Sequence, residues 1–229
     1  MALFLFILEI IGTVAFAVSG ALLAVKKEMD VFGVCVMGVV TACGGGVLRD
    51  LMLGYLPPAM FREPVYALTA VGCSLLTMIL FVVRRRFFSH DRVFDALMLW
   101  SDALGLGVFT AAGVSAVFRA GFGDNFFFSV FLGTMTGVGG GVLRDVLART
   151  PPYIFVRHIY ACASILGAVV CTLLWRTAGA TLAMLVCCGS VFALRILSAH
   201  YRWSLPKAKA GKHGHRQTKK TRATRHPKG

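Results

Sequence analysis

The chain has 229 residues, 57% of them hydrophobic and only 15% charged, with 25 Gly, 18 Phe and a mean hydropathy of +0.75. An average soluble domain carries about 25% charged residues; a compact soluble fold of this length could not bury so much apolar surface, so the chain is a membrane protein by composition, and disorder, collagen-like repeats and a disulfide scaffold are excluded. The formal net charge of +14 is mostly local, because ten of the 24 Lys and Arg lie between Arg202 and Gly229 with no acid among them.

Seven apolar segments, each near the ~20 residues that cross a bilayer as a helix, follow in order: Ala2–Val25, Val31–Leu53, Pro64–Val83, Val93–Phe118, Phe126–Leu147, Tyr153–Trp175 and Ala178–Leu197. Connections are short and marked by Pro57-Pro58, Pro64 and Pro151-Pro152. The first segment is not a signal peptide, since it lacks a basic n-region, carries Glu9 inside the apolar run and outlasts an ordinary h-region. Basic residues sort the loops. Lys26, Lys27, Arg84, Arg85, Arg86, Arg92, Arg149, Arg157 and the tail fall on one side, and Arg62, Arg119 and Arg176 on the other. The positive-inside rule puts the first side in the cytoplasm, with the amino terminus outside and the carboxyl terminus inside.

The chain contains itself twice. Thr41 to Asp50 (TACGGGVLRD) recurs as Thr136 to Asp145 (TGVGGGVLRD), Glu9 to Phe16 matches Asp102 to Phe109, and Gly20 matches Gly113. Pro57-Pro58 matches Pro151-Pro152, and Tyr66-Ala67 matches Tyr160-Ala161. A unit of three spans is odd, so successive units enter the membrane from opposite sides and form an inverted pair about a pseudo-two-fold axis in the membrane plane. The expected layout is a first repeat over 1–92, a second over 93–176, a seventh helix over 177–201 and a disordered basic tail over 202–229.

The doubled Gly-Gly-Gly-Val-Leu-Arg-Asp, together with Phe16 to Leu22 (FAVSGAL), resembles the bacterial branch of the trimeric intracellular cation (TRIC) channel family, whose repeat is also catalogued as a glycine-transporter domain. The likeness covers about residues 2–197. It implies a homotrimer, one permeation path per protomer, and second and fifth helices broken at the glycine triplets. Both a monovalent cation and glycine have claims as permeant.

Gly44, Gly45 and Gly46 lie near the middle of the second span, and Gly139, Gly140 and Gly141 near the middle of the fifth. Three consecutive Gly cost about 1 kcal/mol each relative to Ala in a helix interior. Unwinding there would expose backbone groups that only protein or a water-filled path could satisfy. The plainer reading is close helix packing through small residues; two triplets at equivalent depth favour a solute path. Arg49-Asp50 and Arg144-Asp145 follow by one turn, and ionisable groups at such depth face a partner or a cavity by default. A pseudo-two-fold suggests reciprocal pairs, Arg49 with Asp145 and Arg144 with Asp50; the alternative is separate snorkelling to the headgroups. Glu9 and Asp102 form a second equivalent pair, joined on the Asp102 face by Asp95, and acids inside a path would attract a cation or an ammonium group. For Glu9 and Asp95 the alternative is an interfacial position.

The seven Cys read as small packing residues rather than metal or redox groups. His90, His158, His213, His215 and His226 fall in loops or tail, and Phe126-Phe127-Phe128 and Trp100 read as lipid or core contacts. The sequence has no enzyme motif, and no metal or cofactor is expected. Glycine uptake across the inner membrane is the first functional reading, since backbone N–H groups and an acid such as Asp102 or Asp50 suffice for the smallest zwitterion. A potassium-permeable homotrimeric channel is the alternative, and a scaffold recruiting a partner through its basic tail is a more distant one. The tail is expected to meet anionic lipid headgroups and, lacking interleaved aromatics, not nucleic acid.

Overall fold

The computed structural model describes residues 2–84, 91–156, 159–201 and 203. Most of the basic tail lies outside that set, as do Arg85, Arg86, His90, Arg157 and His158. Among the described residues there are nine helices and no strand: α1 (Ala2–Lys26), α2 (Val31–Met52), α3 (Ala59–Arg62), α4 (Val65–Val83), α5 (Asp91–Arg119), α6 (Phe126–Leu147), α7 (Tyr153–Val156), α8 (Tyr160–Thr177) and α9 (Ala180–His200). Seven of these, all but the one-turn α3 and α7, are long and apolar enough to cross a membrane.

Local signals set the ends of these helices in matched pairs. Asp30 caps α2 by accepting the Gly33 N–H at 2.7 Å, and Asn125 caps α6 by accepting the Phe128 N–H at 2.9 Å. Past their carboxyl ends the chain turns through left-handed residues, Gly54 (φ +73°) after α2 and Arg149 (φ +52°) after α6. The proline pairs then direct the chain into α3 and α7, which lie against the ends of α2 and α6.

α1–α2–α4 and α5–α6–α8 form two three-helix sets, with α9 packed on α5 and α8 outside them. Of the apolar window of α5, 72% is buried, against 28% for α9 and 17% for α4. So α5 runs through the middle, while α4 and α9 face outward. The two sets meet by reciprocal contacts. Phe16 of α1 stacks on Phe109 of α5 with ring centroids 5.3 Å apart. A Cβ on Gly45 would strike the Thr136 carbonyl oxygen, and one on Gly140 the Thr41 carbonyl oxygen. Each exchange maps onto the other through the sequence repeat, as an inverted two-fold relation requires.

The triplets correct one expectation. α2 and α6 run as unbroken α-helices through Gly44–Gly46 and Gly139–Gly141. The physical reason is their crossing: bare Cα atoms let the two backbones touch there. The cost of three Gly in a helix is met by this close packing rather than relieved by unwinding.

Candidate functional site

Two clusters of charge sit at the carboxyl ends of α2 and α6. In the first, the Arg49 Nε donates to Asp50 Oδ1 at 2.8 Å and its Nη1 to Glu9 Oε1 at 3.0 Å. The Tyr66 hydroxyl of α4 donates to Glu9 Oε2 at 2.9 Å, and the Ala59 N–H to Asp50 Oδ2 at 2.7 Å. The second cluster repeats these partners, with both Arg144 and Tyr160 on one oxygen of Asp102. The Arg144 Nε donates to Asp145 Oδ1 at 2.9 Å and its Nη1 to Asp102 Oδ1 at 2.7 Å. The Tyr160 hydroxyl of α8 donates to Asp102 Oδ1 at 3.4 Å, and the Tyr153 N–H to Asp145 Oδ2 at 2.9 Å.

These bonds overturn the reciprocal pairing of Arg49 with Asp145 and Arg144 with Asp50. Each Arg instead pairs with its own chain neighbour and with the acid of its own repeat. The cause is the antiparallel crossing of α2 and α6, where Gly45 lies against Thr136 and Gly140 against Thr41. Extended from that crossing, Arg49 stands beside the amino-terminal half of α6. It is about 13 residues from Asp145, roughly 20 Å at 1.5 Å per residue. The adjacent Arg–Asp contact, which helix geometry disfavours along a cylinder face, forms because the long Arg chain curls back to a carboxylate that the re-entering loop amide already holds.

The clusters differ in openness. The side chains of Arg144, Asp102 and Asp145 are 0–1% exposed, whereas Arg49 is 8% and Glu9 13% exposed. A cavity of about 360 Å³ adjoins the first cluster, bounded by Glu9, Arg49, Asp50 and Tyr66, with Arg62, Glu63 and Arg119 also in its wall. A narrower pocket leads on from Glu9 and Tyr66 to Gly46 and Phe109. A Cβ on Gly46 would meet nothing nearer than Arg49 Nη2 at 4.0 Å, but one on the equivalent Gly141 would press on the Tyr160 hydroxyl at 2.5 Å. Asp102 is one methylene shorter than Glu9, which draws Tyr160 inward over Gly141 and closes the second cluster.

They also differ in composition. Arg195 of α9, 2% exposed, brings Nη2 to 3.5 Å from Asp102 Oδ2 and lays its guanidinium over the Tyr160 ring at 4.7 Å. Ser19 accepts a hydrogen bond from Arg144 Nη1, where the first cluster has Ala112. Formal charges therefore come to −1 for Glu9, Arg49 and Asp50, and to zero for Asp102, Asp145, Arg144 and Arg195.

Of the residues singled out from sequence, Glu9, Arg49, Asp50 and Gly46 border one cavity. Asp102, Arg144 and Asp145 form the sealed cluster, with Gly141 against its Tyr160, while Gly45 and Gly140 lie at the helix crossing and Gly44 and Gly139 against Leu143 and Leu48. Asp95 is exposed and paired with Lys26 at 3.4 Å. Sequence reasoning missed Arg195 and the roles of Tyr66 and Tyr160. A lone Arg inside the last apolar span was the available signal for the first, and the tyrosine recurrence for the others.

Comparisons with known proteins add to this geometry. A family model described as a glycine transporter matches twice, over residues 6–81 and 99–176. The UPF0126 inner membrane protein YadS of Escherichia coli K12 is 42% identical over 202 residues, covering 86% of this chain and 92% of that protein. A prokaryotic TRIC channel crystallised in 0.5 M KCl superposes with a TM-score of 0.82 at 32% identity, covering 90% of this chain and all of the other. The TRIC trimeric intracellular cation channel orthologue from Rhodobacter sphaeroides gives 0.77 at 33% identity, covering 87% and 98%.

Proposed function

This chain belongs to the bacterial TRIC channel family, whose repeat is the glycine-transporter domain, and from that membership we propose that it conducts a monovalent cation across the bacterial inner membrane as a homotrimer. The observation that carries the reading is the charge inequality of its two clusters. Glu9 and Asp50 share one guanidinium beside a cavity of about 360 Å³. A cation entering there meets two carboxylates that share Arg49 and trades water for carboxylate and phenol oxygens, as a selective path requires. With the basic loops facing the cytoplasm, this cavity opens outward and the sealed cluster faces in. Between the clusters the buried rings of Phe16 and Phe109 stack, an apolar barrier that conduction has to open.

Glycine uptake is the second reading, and the same cavity favours it. Arg62 and Arg119 in its wall offer guanidinium groups for a carboxylate while Glu9 takes the ammonium. It ranks second because the backbone N–H groups of the triplets, the carboxylate donors that the sequence suggested, stay inside continuous helices. Liposomes carrying the purified protein separate the two. Potassium tracer should pass, Glu9→Gln should slow it severalfold, and labelled glycine should not accumulate. Glycine uptake without potassium flux would reverse the order.

A further inference from the structure

The second cluster contains a group that the duplication does not supply. α9 lies outside the two three-helix sets and is mostly exposed, yet it turns Arg195 inward to 2% exposure. A long basic side chain on such a helix could reach water by snorkelling. Burying it instead demands a specific partner. That partner is loosely engaged: Arg195 Nη2 stands 3.5 Å from Asp102 Oδ2 as an ion pair, while Arg195 Nε, Arg195 Nη2 and Asp102 Oδ2 make no hydrogen bond among the described residues. The firmest contact is the guanidinium lying 4.7 Å over the Tyr160 ring, an arrangement worth more where water is excluded.

Comparison between the repeats says what Arg195 stands in for. Glu9, Arg49, Asp50 and Tyr66 correspond to Asp102, Arg144, Asp145 and Tyr160, with the same hydrogen bonds. At the first cluster no cation besides Arg49 pairs with the acids among the described residues, and a cavity with Arg62 and Arg119 in its wall lies there. At the second the fourth charge is a guanidinium from the chain itself.

We propose that the second cluster is a monovalent-cation position whose occupant is Arg195, so that the guanidinium on α9 plugs the inner half of the path. This rests on the cation-channel reading for its consequence, but the occupied position can be tested without flux. Conduction through the inner half requires Arg195 to leave Asp102 and Tyr160, or a mobile cation to displace it. The long ion pair and the unmatched Nε and Nη2 donors make it a group held for release. The first cluster has no counterpart of Arg195 paired with its acids, and a cavity adjoins it.

The test compares wild type with Arg195→Ala and Arg195→Lys as purified protein in liposomes. Arg195→Ala leaves Asp102, Arg144 and Asp145 at −1 and vacates the guanidinium volume. Potassium flux should rise on the order of tenfold, and millimolar guanidinium, but not uncharged urea, should return it towards wild type. Arg195→Lys keeps the charge on a different reach and should assemble even if the Ala variant does not, with a smaller rise. Wild-type flux in the assembled variants overturns the proposal. If neither wild type nor variant carries potassium, the channel reading fails, and thermal unfolding of Arg195→Ala decides the position by itself. Stabilisation by guanidinium and not by urea supports it, and equal response to both overturns it.

Discussion

Arg144 and Arg49 make the same carboxylate bonds in different surroundings, and the difference has a measurable consequence. Removing one partner of a buried ionic cluster costs about 3–5 kcal/mol, because the remaining charge is left without compensation. Arg144→Gln leaves the buried Asp145 without its guanidinium and Asp102 with only the looser Arg195, so it should approach that loss in thermal unfolding of the solubilised protein. Arg49→Gln should cost clearly less, since water in the adjoining cavity reaches Glu9. Double-mutant cycles read the pairing itself. Asp102→Asn with Arg144→Gln should be strongly non-additive, whereas Asp50→Asn with Arg144→Gln should add within about 0.5 kcal/mol. Coupling in the second cycle would restore the cross-repeat pairs. The sequence pointed to these four Arg and Asp because charge at membrane depth demands partners. It could not choose the partners, because that depends on the antiparallel crossing of α2 and α6, and a repeat offset is compatible with either arrangement. Arg195 escaped notice for a related reason: it stands outside the duplication that drew attention to the others.

Helix ends and crossings were legible to different degrees. The seven spans follow from apolar length, while the caps Asp30 and Asn125 emerge only from the structure. The triplets did not disclose their role, since bare backbone serves an unwound site and a tight crossing equally well; the Thr41 and Thr136 carbonyl oxygens beside Gly140 and Gly45 decide for the crossing. Gly45→Ala and Gly140→Ala should therefore lower assembly of the folded protein, by gel filtration in detergent. Gly46→Ala, with open space around its Cβ position, should assemble normally. Equal tolerance at all three would separate α2 from α6. A further element-level outcome concerns the turns after α2 and α6. Arg149 holds the left-handed conformation that Gly54 holds in the first repeat, so Arg149→Gly should stabilise the turn by about 1 kcal/mol, visible as a higher unfolding midpoint.

At the scale of the whole molecule, the inverted duplication gives each end of the bundle a cluster of the same parts, and α9 makes the ends unequal. At one end, beside a cavity, Glu9 and Asp50 pair with Arg49 alone; the other end is closed and adds Arg195 to its pairs. The inequality implies a direction, and the orientation proposed from the loop charges, with the cavity outside and the tail in the cytoplasm, is open to test. Proteolysis of inside-out vesicles should remove the tail early, while right-side-out vesicles protect it. Cation conduction governed by the carboxylates of Glu9 and Asp50 is read from the reversal potential of the purified protein in a planar bilayer under a potassium chloride gradient. The account predicts a reversal potential near that of potassium for wild type and a shift towards zero, with smaller current, for Glu9→Gln. A wild-type reversal potential on the chloride side, or identical values for the two proteins, would contradict it.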